Sequence, residues 1–361
     1  MLVALYGCNA VEIDTDRGTL VPDMGAEVPM HVDMLFSGGT VKSKSIYTDV
    51  GTEAGKLGAI GILVAKKSST GQWMGYAVRE ADSYEQYNVK EEGGSLVWEA
   101  AKDSIYLNHN EGTAYAWAPV TGDKALSATP VIAADKLTVA GVTLPAAQTY
   151  DATDAALSAC SQPDYLYATK GTKETAQQTV SKTNHKAELY MHHALARVNF
   201  KVMFGKNAGS AGAANYVKKI ELISKTARLL TITDGTMNLA DGTLEGTSPV
   251  ETLTFSAPVG KAAEASPYAP TYDDITPQAY GLVVPLPEAT KDLGVRVTLG
   301  TNDGNTDNDL TIETKAGNEV TFQWEKGKEY TYNIKKDVAL KVISVDITDF
   351  GDGGTAALPV K

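Results

Sequence analysis

The chain has 361 residues, with 44 Asp and Glu against 32 Lys and Arg, a net charge of −12 and a pI near 5.0. That length suggests two domains, and the acidic balance leaves no field to hold a phosphate backbone or an anionic membrane surface, which excludes nucleic acid as a partner. With 43% apolar and 21% charged residues the chain can bury a core, and Tyr outnumbers Phe 17 to 6, a balance suited to half-buried sheets.

The first residues, Leu2 to Tyr6 followed by Gly7, form a short apolar run ending in a small residue directly before Cys8. This is the shape of a bacterial lipoprotein cleavage site, with residues 1–8 the remnant of a signal segment and Cys8 the lipidation candidate. The run is short and lacks a positive n-region, as a start codon assigned too late would leave it; the competing reading is an N-terminal strand with a buried cysteine. The other cysteine, Cys160, reads as a small buried side chain, so neither a disulfide framework nor a Cys-based zinc cluster is available. No other stretch approaches the length of a transmembrane helix.

Short strand-like runs then recur: Met30 to Phe36, Ile60 to Ala65, Gly94 to Glu99, Ser104 to Asn108 and Ala114 to Val120. Gly, Asp, Asn and Pro separate them, the punctuation of sandwiches and barrels. Trp73 lies in a turn-like stretch and is the one tryptophan placed to serve as an exposed platform; the first reading is a hairpin aromatic packed on its own sheet. Between Pro163 and Lys186 the chain turns polar and loses alternation, so a junction is placed there. The expected domains are 9–169 and 186–361, with 170–185 as linker. Ala187 to Val198 favours a helix by propensity, whereas Val198, Phe200 and Val202 alternate; a strand is expected to begin near His193. Further runs follow at Lys219 to Ser224, Leu229 to Thr233, Leu282 to Leu286, Val295 to Leu299, Glu319 to Trp324 and Glu329 to Ile334. Asp234-Gly235 and Asp241-Gly242 read as hairpin turns.

Near the C-terminus Val338, Leu340 and Val342 alternate, and then Ile343, Val345 and Ile347 take over the apolar positions. Because the side-chain period of a strand is two, this one-residue slip predicts a bulge or a break near Val342. The six residues are candidates for a strand donated to a neighbouring molecule.

Residues of catalytic type form no recognisable constellation. Adjacent His192 and His193 would face opposite sides of a strand, no G-x-S-x-G elbow occurs, and P-loop and dinucleotide fingerprints are absent. No enzyme and no cofactor is expected. Asp303, Asn305 and Asp307 alternate as in a calcium loop, but Asn308 stands where that loop needs Gly and Thr314 where it needs Glu, so a hairpin loop is the first reading and calcium a weak one.

Several pieces stand in a familiar order. They are Ala114 to Pro119 (AYAWAP), Asp164 to Ala168 (DYLYA), His193 to Val198 (HALARV), Gly327 to Ile334 (GKEYTYNI) and Ser344 to Phe350 (SVDITDF) followed by Gly. With the Cys8 site they resemble the fimbrillins, subunits of type V pili and related surface lipoproteins. The resemblance implies an all-β chain of two tandem β-sandwich domains of transthyretin-like topology. It also implies export as an outer membrane lipoprotein exposed at the cell surface, touching the membrane only through its lipid anchor. The implied function is a non-catalytic structural subunit of a fimbrium that mediates adhesion and polymerises by strand exchange. Other pilus subunits, and a host or bacterial surface receptor, are the implied partners. In family members that polymerise, an Arg-specific protease removes the N-terminal strand, and Arg17 is the position that matches. Only Val11 and Ile13 lie between Cys8 and Arg17 to fill a groove, so stalk, tip and anchor roles all stay open. The alternative is a monomeric surface lipoprotein that binds a glycan or a host protein.

Overall fold

A computed structural model describes residues 11–14, 19–22, 27–36, 57–123, 125–152, 160–171, 176–206, 215–267, 271–273, 275–307, 309–314, 320–349 and 356–359. Strands dominate throughout, as the alternation and turn chemistry predict, and one short 3-10 helix, Glu80–Ser83, is the helical element among the described residues.

The first sheet runs in the order His31–Phe36, Lys186–His193, Leu166–Thr169, Gly112–Ala118, Ala59–Lys67, Tyr84–Glu92 and Ser95–Ala100, with Trp73–Gly75 and Gln178–Val180 added beside it. Its two edge strands approach each other, so the sheet curls. Ile60, Ile62, Val64, Ala114, Leu189 and Met191 fill the inside of the curl. Alternate residues of the same strands, including Leu63, Tyr115 and Trp117, face outwards into a second core. Both faces of this sheet are apolar, which explains why Ala59–Lys67 is buried at seven successive positions.

A four-stranded sheet, Val131–Ile132, Leu137–Leu144, Leu229–Asn238 and Leu244–Val250, covers that outer face. It joins a strand from before the expected junction to a hairpin from after it. Two five-stranded sheets enclose a third core. One has the order Ala147–Thr149, Thr252–Ser256, Tyr216–Ser224, Leu293–Gly300, Leu310–Glu313, and the other Ala279–Val283, Ala196–Phe204, Lys328–Lys336, Leu340–Asp349, Ala356–Pro359. Phe200, Tyr332 and Phe322 form its stacked aromatic centre, with ring centroids 5.6 and 5.2 Å apart.

The chain crosses the expected junction in both directions. Gln178–Val180, within the expected linker, pairs with Gly112–Ala118, and Lys186–His193 is a strand of the first sheet. That strand starts seven residues before His193. Its buried residues Ala187, Leu189, Met191 and His193 alternate with exposed or half-buried ones, and the helix-favouring Ala, Glu, Leu and Met masked the period. In the other direction Ala147–Thr149 pairs in parallel with Thr252–Ser256. The strand Leu229–Asn238 places Leu229 in the third core and Met237 in the second.

Turn readings differ in one place. Asp241-Gly242 is the expected hairpin turn, with Gly242 at φ +71° and a Cβ there 2.2 Å from the Tyr167 ring. Asp234-Gly235 instead lies inside Leu229–Asn238, where the register shifts against both neighbours. The dipeptide makes a bulge, the other structure that a glycine in a strand serves.

Candidate functional site

The strands at the two ends of the described chain are held in different ways. His31–Phe36 runs parallel to Lys186–His193, with His31 opposite Lys186 and Phe36 opposite Met191, in a sheet whose other pairings are antiparallel. Entry is fixed by two backbone bonds: the Met30 N–H donates to the Ile105 carbonyl at 2.9 Å and the His31 N–H to the His185 carbonyl at 2.8 Å. Met30, Val32 and Met34 are buried in the inner core, whereas His31 and Asp33 point to solvent. Asp33 accepts an ion pair from Lys186 at 2.7 Å, and Lys186 also reaches Glu188 at 3.1 Å. Three buried side chains at about 1.5–3 kcal/mol each hold the strand, while the exposed ion pair adds at most about 1 kcal/mol. The strand thus fills a groove with its alternate residues, a property readable in the sequence only as alternation.

The C-terminal strand Leu340–Asp349 lies between Lys328–Lys336 and Ala356–Pro359. Asn333 pairs with Ser344 and Ile334 with Val342, so Ile343 is the inserted residue of a bulge. The expected phase slip therefore occurs at Ile343. Before the bulge Leu340 and Val342 enter the third core, and after it Val345 does, with Ile347 packed at its margin. Ile343 is 41% exposed, and Val338, at the hairpin tip, 92%. The Asn333 amide ties the strands by donating to Ser344 Oγ at 2.8 Å and Asp346 Oδ2 at 2.7 Å. Cys8 and Arg17 lie outside the described residues. The strands that flank Arg17, Val11–Asp14 and Thr19–Pro22, pair with each other.

The Asp303 loop closes on itself. Asp303 Oδ1 accepts from Thr301 Oγ1 at 2.5 Å and the Asn305 N–H at 3.0 Å, and Asn305 Oδ1 accepts from the Asp307 N–H at 2.8 Å. The Thr301 bond holds the Asp303 carboxyl below the usual carboxylate range. Lys218 Nζ donates to the Asn305 carbonyl and to Asp309 Oδ1, both at 2.9 Å, so an ammonium group already serves the loop's oxygens. Trp73 belongs to the short strand Trp73–Gly75, packs edge-on against Tyr115 at 5.8 Å and carries Lys67 Nζ 4.8 Å from its centroid. It packs on its own sheet, and among the described residues the exposed aromatic that the sequence did not single out is Tyr106, at 49%.

The pieces that carry the family resemblance meet in space at the seam between the halves. His193 Nδ1 lies 2.7 Å from Asp164 Oδ2, with both side chains buried. The Ala194 N–H donates to the Tyr165 carbonyl at 2.8 Å and the Gly327 N–H to the Leu195 carbonyl at 2.9 Å. Arg197 Nε donates to Asn199 Oδ1 at 2.9 Å, stands 3.7 Å from Glu329, and lies 5.3 Å from the Tyr280 ring centroid. Trp117 sits against Gly61, where a Cβ would come within 2.2 Å of the indole, and donates from Nε1 to the Ser127 carbonyl at 3.0 Å. Of these contacts, Asp164 with His193 and Tyr165 with Ala194 join the halves. Among the described residues no group of three His, Cys, Asp or Glu side chains could hold a metal, and no helix is long and apolar enough to cross a membrane.

Comparison with solved structures finds a fimbrial protein from Bacteroides vulgatus at 14% identity and TM-score 0.50, covering 90% of this chain and 100% of that one. A candidate cell adhesion protein from Bacteroides ovatus matches at 18% identity and TM-score 0.49, over 93% of this chain and all of the other. A fimbrial assembly protein from Parabacteroides distasonis matches at 9% identity and TM-score 0.38, over 92% and 99%. At 14% identity the likeness to the Bacteroides vulgatus protein concerns the fold alone. No curated protein matches the chain. A model of the fimbrillin-like family matches residues 46–349, more than four-fifths of the sequence; the match takes in the seam and the C-terminal bulge and begins after His31–Phe36. The chain belongs to the fimbrillin-like family.

Proposed function

We propose that this protein is a structural, non-catalytic subunit of a surface pilus, built into the filament by strand exchange and mediating adhesion. The observation that carries the reading is the parallel strand His31–Phe36, which seals an apolar groove with Met30, Val32 and Met34 while bonded to a single neighbour among the described residues. Family membership supports the same reading. A strand held at one edge by side chains in a groove is the arrangement that β-strand addition exploits.

Export through a lipidated Cys8 and cleavage after Arg17 belong to this proposal. Cleavage there would separate Val11–Asp14 from its partner Thr19–Pro22 and leave His31–Phe36 in the chain, so the strand must then leave the groove as a second event. The donor is proposed from the C-terminal segment that begins at Val338. Within it the edge strand Ala356–Pro359 can leave without emptying a core position of Leu340, Val342 or Val345.

Electron microscopy of cells with and without the protein tests the reading. Filaments that are lost or shortened in its absence, and that contain it when purified, are the expected result. Unchanged filaments from which the protein is always missing would overturn it.

A further inference from the structure

We propose that the cleft between residues 76–86 and 101–108 binds a neutral saccharide, which gives the subunit an adhesive contact of its own whether or not it polymerises. The cleft encloses about 940 Å³, within the range that holds a small ligand and enough for a short oligosaccharide.

Its walls are fixed before any ligand arrives. One wall is the turn that follows Trp73–Gly75 and the helix Glu80–Ser83; buried Ser83 Oγ accepts the Ala77 N–H across it at 2.9 Å. The other wall contains the strand Tyr106–Leu107. Tyr76 joins the two, since its hydroxyl accepts the Asn108 N–H at 3.0 Å and lies 2.9 Å from Asn108 Oδ1. The Ala101 N–H donates to the Gln86 carbonyl at 2.7 Å, and the Ile105 N–H donates to the Tyr87 hydroxyl at 3.3 Å. Walls fixed in this way spare a ligand the cost of ordering them.

The lining chemistry selects the ligand class. A sugar ring has an apolar C–H face and a girdle of hydroxyl donors, and it is best met by an aromatic surface beside carboxylate acceptors. Tyr106, half-exposed, supplies the aromatic residue of the lining, with Val78 almost wholly exposed at the rim. Glu27, Glu85 and Asp103 supply the acceptors. Anionic ligands are disfavoured because Glu27, Asp82, Glu85 and Asp103 outnumber Arg79 and Lys102. Arg79, moreover, is engaged by Asp82 through Nε at 3.0 Å and Nη2 at 2.5 Å. The charged groups on both walls equally disfavour a purely apolar ligand.

The test is a glycan array followed by isothermal titration with the purified full chain. The probes are neutral oligosaccharides of glucose, galactose, mannose and N-acetylhexosamines, sialylated and sulfated counterparts, and an oligolysine peptide. Saturable binding of at least one neutral oligosaccharide is expected, weakened about tenfold or more in Tyr106→Ala and in the exposed pair Glu27→Gln with Asp103→Asn. Val259→Ser, at an exposed position outside the cleft lining, should bind as the unaltered protein does. The polar double variant retains the tyrosine, so it keeps the test sound if Tyr106→Ala loses its thermal midpoint. Four results would each overturn the proposal: no neutral oligosaccharide bound at millimolar concentration, tighter binding of the anionic counterparts, binding of the oligolysine peptide alone, or saccharide binding that survives both cleft variants.

Discussion

The two end strands solve the same packing problem with different connections. Leu340–Asp349 is the second arm of a hairpin, bonded to Lys328–Lys336 along its length and to Ala356–Pro359 on its other edge. His31–Phe36 finds its partner more than 150 positions away and lies at a sheet edge. Each inserts alternate residues into a core, so the burial energies are of similar size. What differs is how much of the fold must open for the strand to leave. The hairpin arm is tied on both edges and empties the third core when it departs, whereas the N-terminal strand breaks one ladder and uncovers one groove. Residues that look equivalent by hydropathy therefore differ in how firmly their strands are tied, and under the proposed strand exchange connectivity would make His31–Phe36 the plug and Leu340–Asp349 the frame.

Charge placed in the two cores is expected to have the largest effect on this comparison. Met34→Asp and Leu340→Asp each bury an unpaired carboxylate and should cost about 3 kcal/mol or more by denaturant titration. The comparison separates them by mode: Met34→Asp should release the N-terminal strand to proteolysis while the third core stays protected from hydrogen exchange, and Leu340→Asp should open the third core. Simultaneous loss of protection in all three cores for Met34→Asp would mean that the plug is part of the frame.

Truncation on either side of the bulge comes next. Leu340→Ala should cost about 2–5 kcal/mol, because its side chain is 1% exposed. Ile343→Ala, at the inserted residue, should stay within about 0.5 kcal/mol of the parent. Equal losses at the two positions would remove the bulge assignment.

The seam supplies a third, smaller effect through pH. His192 is partly buried with Nε2 2.6 Å from Thr169 Oγ1, and burial pushes its pKa below the ordinary 6.5. The unfolded chain then takes up a proton first, so the stability contributed by neutral His192 is complete above about 6.5 and is lost as the pH falls towards the folded-state value. His192→Gln should flatten this part of the stability profile, measured by thermal unfolding across the window. An unchanged slope in the variant would assign the dependence to another group.

Limited proteolysis completes the set. Lys170, Lys182 and Lys173, the last outside the described residues, are the expected first cuts, yet the fragments should stay together because strands cross the junction both ways. Prompt separation of the fragments after cutting would contradict the interlocked seam.

Much of this was legible in the sequence, and the illegible part has a physical reason. Strand content, the Ile343 bulge and the Asp241-Gly242 turn depend on nearest neighbours in the chain, which periodicity and turn chemistry report directly. The strand Lys186–His193 was obscured because its buried positions carry the helix-favouring Ala187, Leu189 and Met191, and only its partners, far away in sequence, make it a strand. The shared core position of Met30, Val32 and Met34 was invisible for the same reason: alternation says that one face is buried, never against what. Arg197, Asp164 and His193 were visible as motif letters, and their mutual contact at the seam needed the fold. Tyr106 carried no signal, since one tyrosine in a short strand reads the same whether it faces a cleft or a core.

The central claim is that the groove sealed by His31–Phe36 receives a strand from a neighbouring subunit, and lysine cross-linking of filaments assembled from mixed light and heavy isotope-labelled protein tests it directly. Lys186 stands exposed beside the plug, and Lys341 and Lys361 mark the C-terminal segment. Exchange should give mixed-isotope links from Lys186 to Lys341 or Lys361, together with loss of the His31–Phe36 ladder by hydrogen exchange. Filaments in which those links are confined to single-isotope pairs, with His31–Phe36 protected as in the free subunit, would contradict the account.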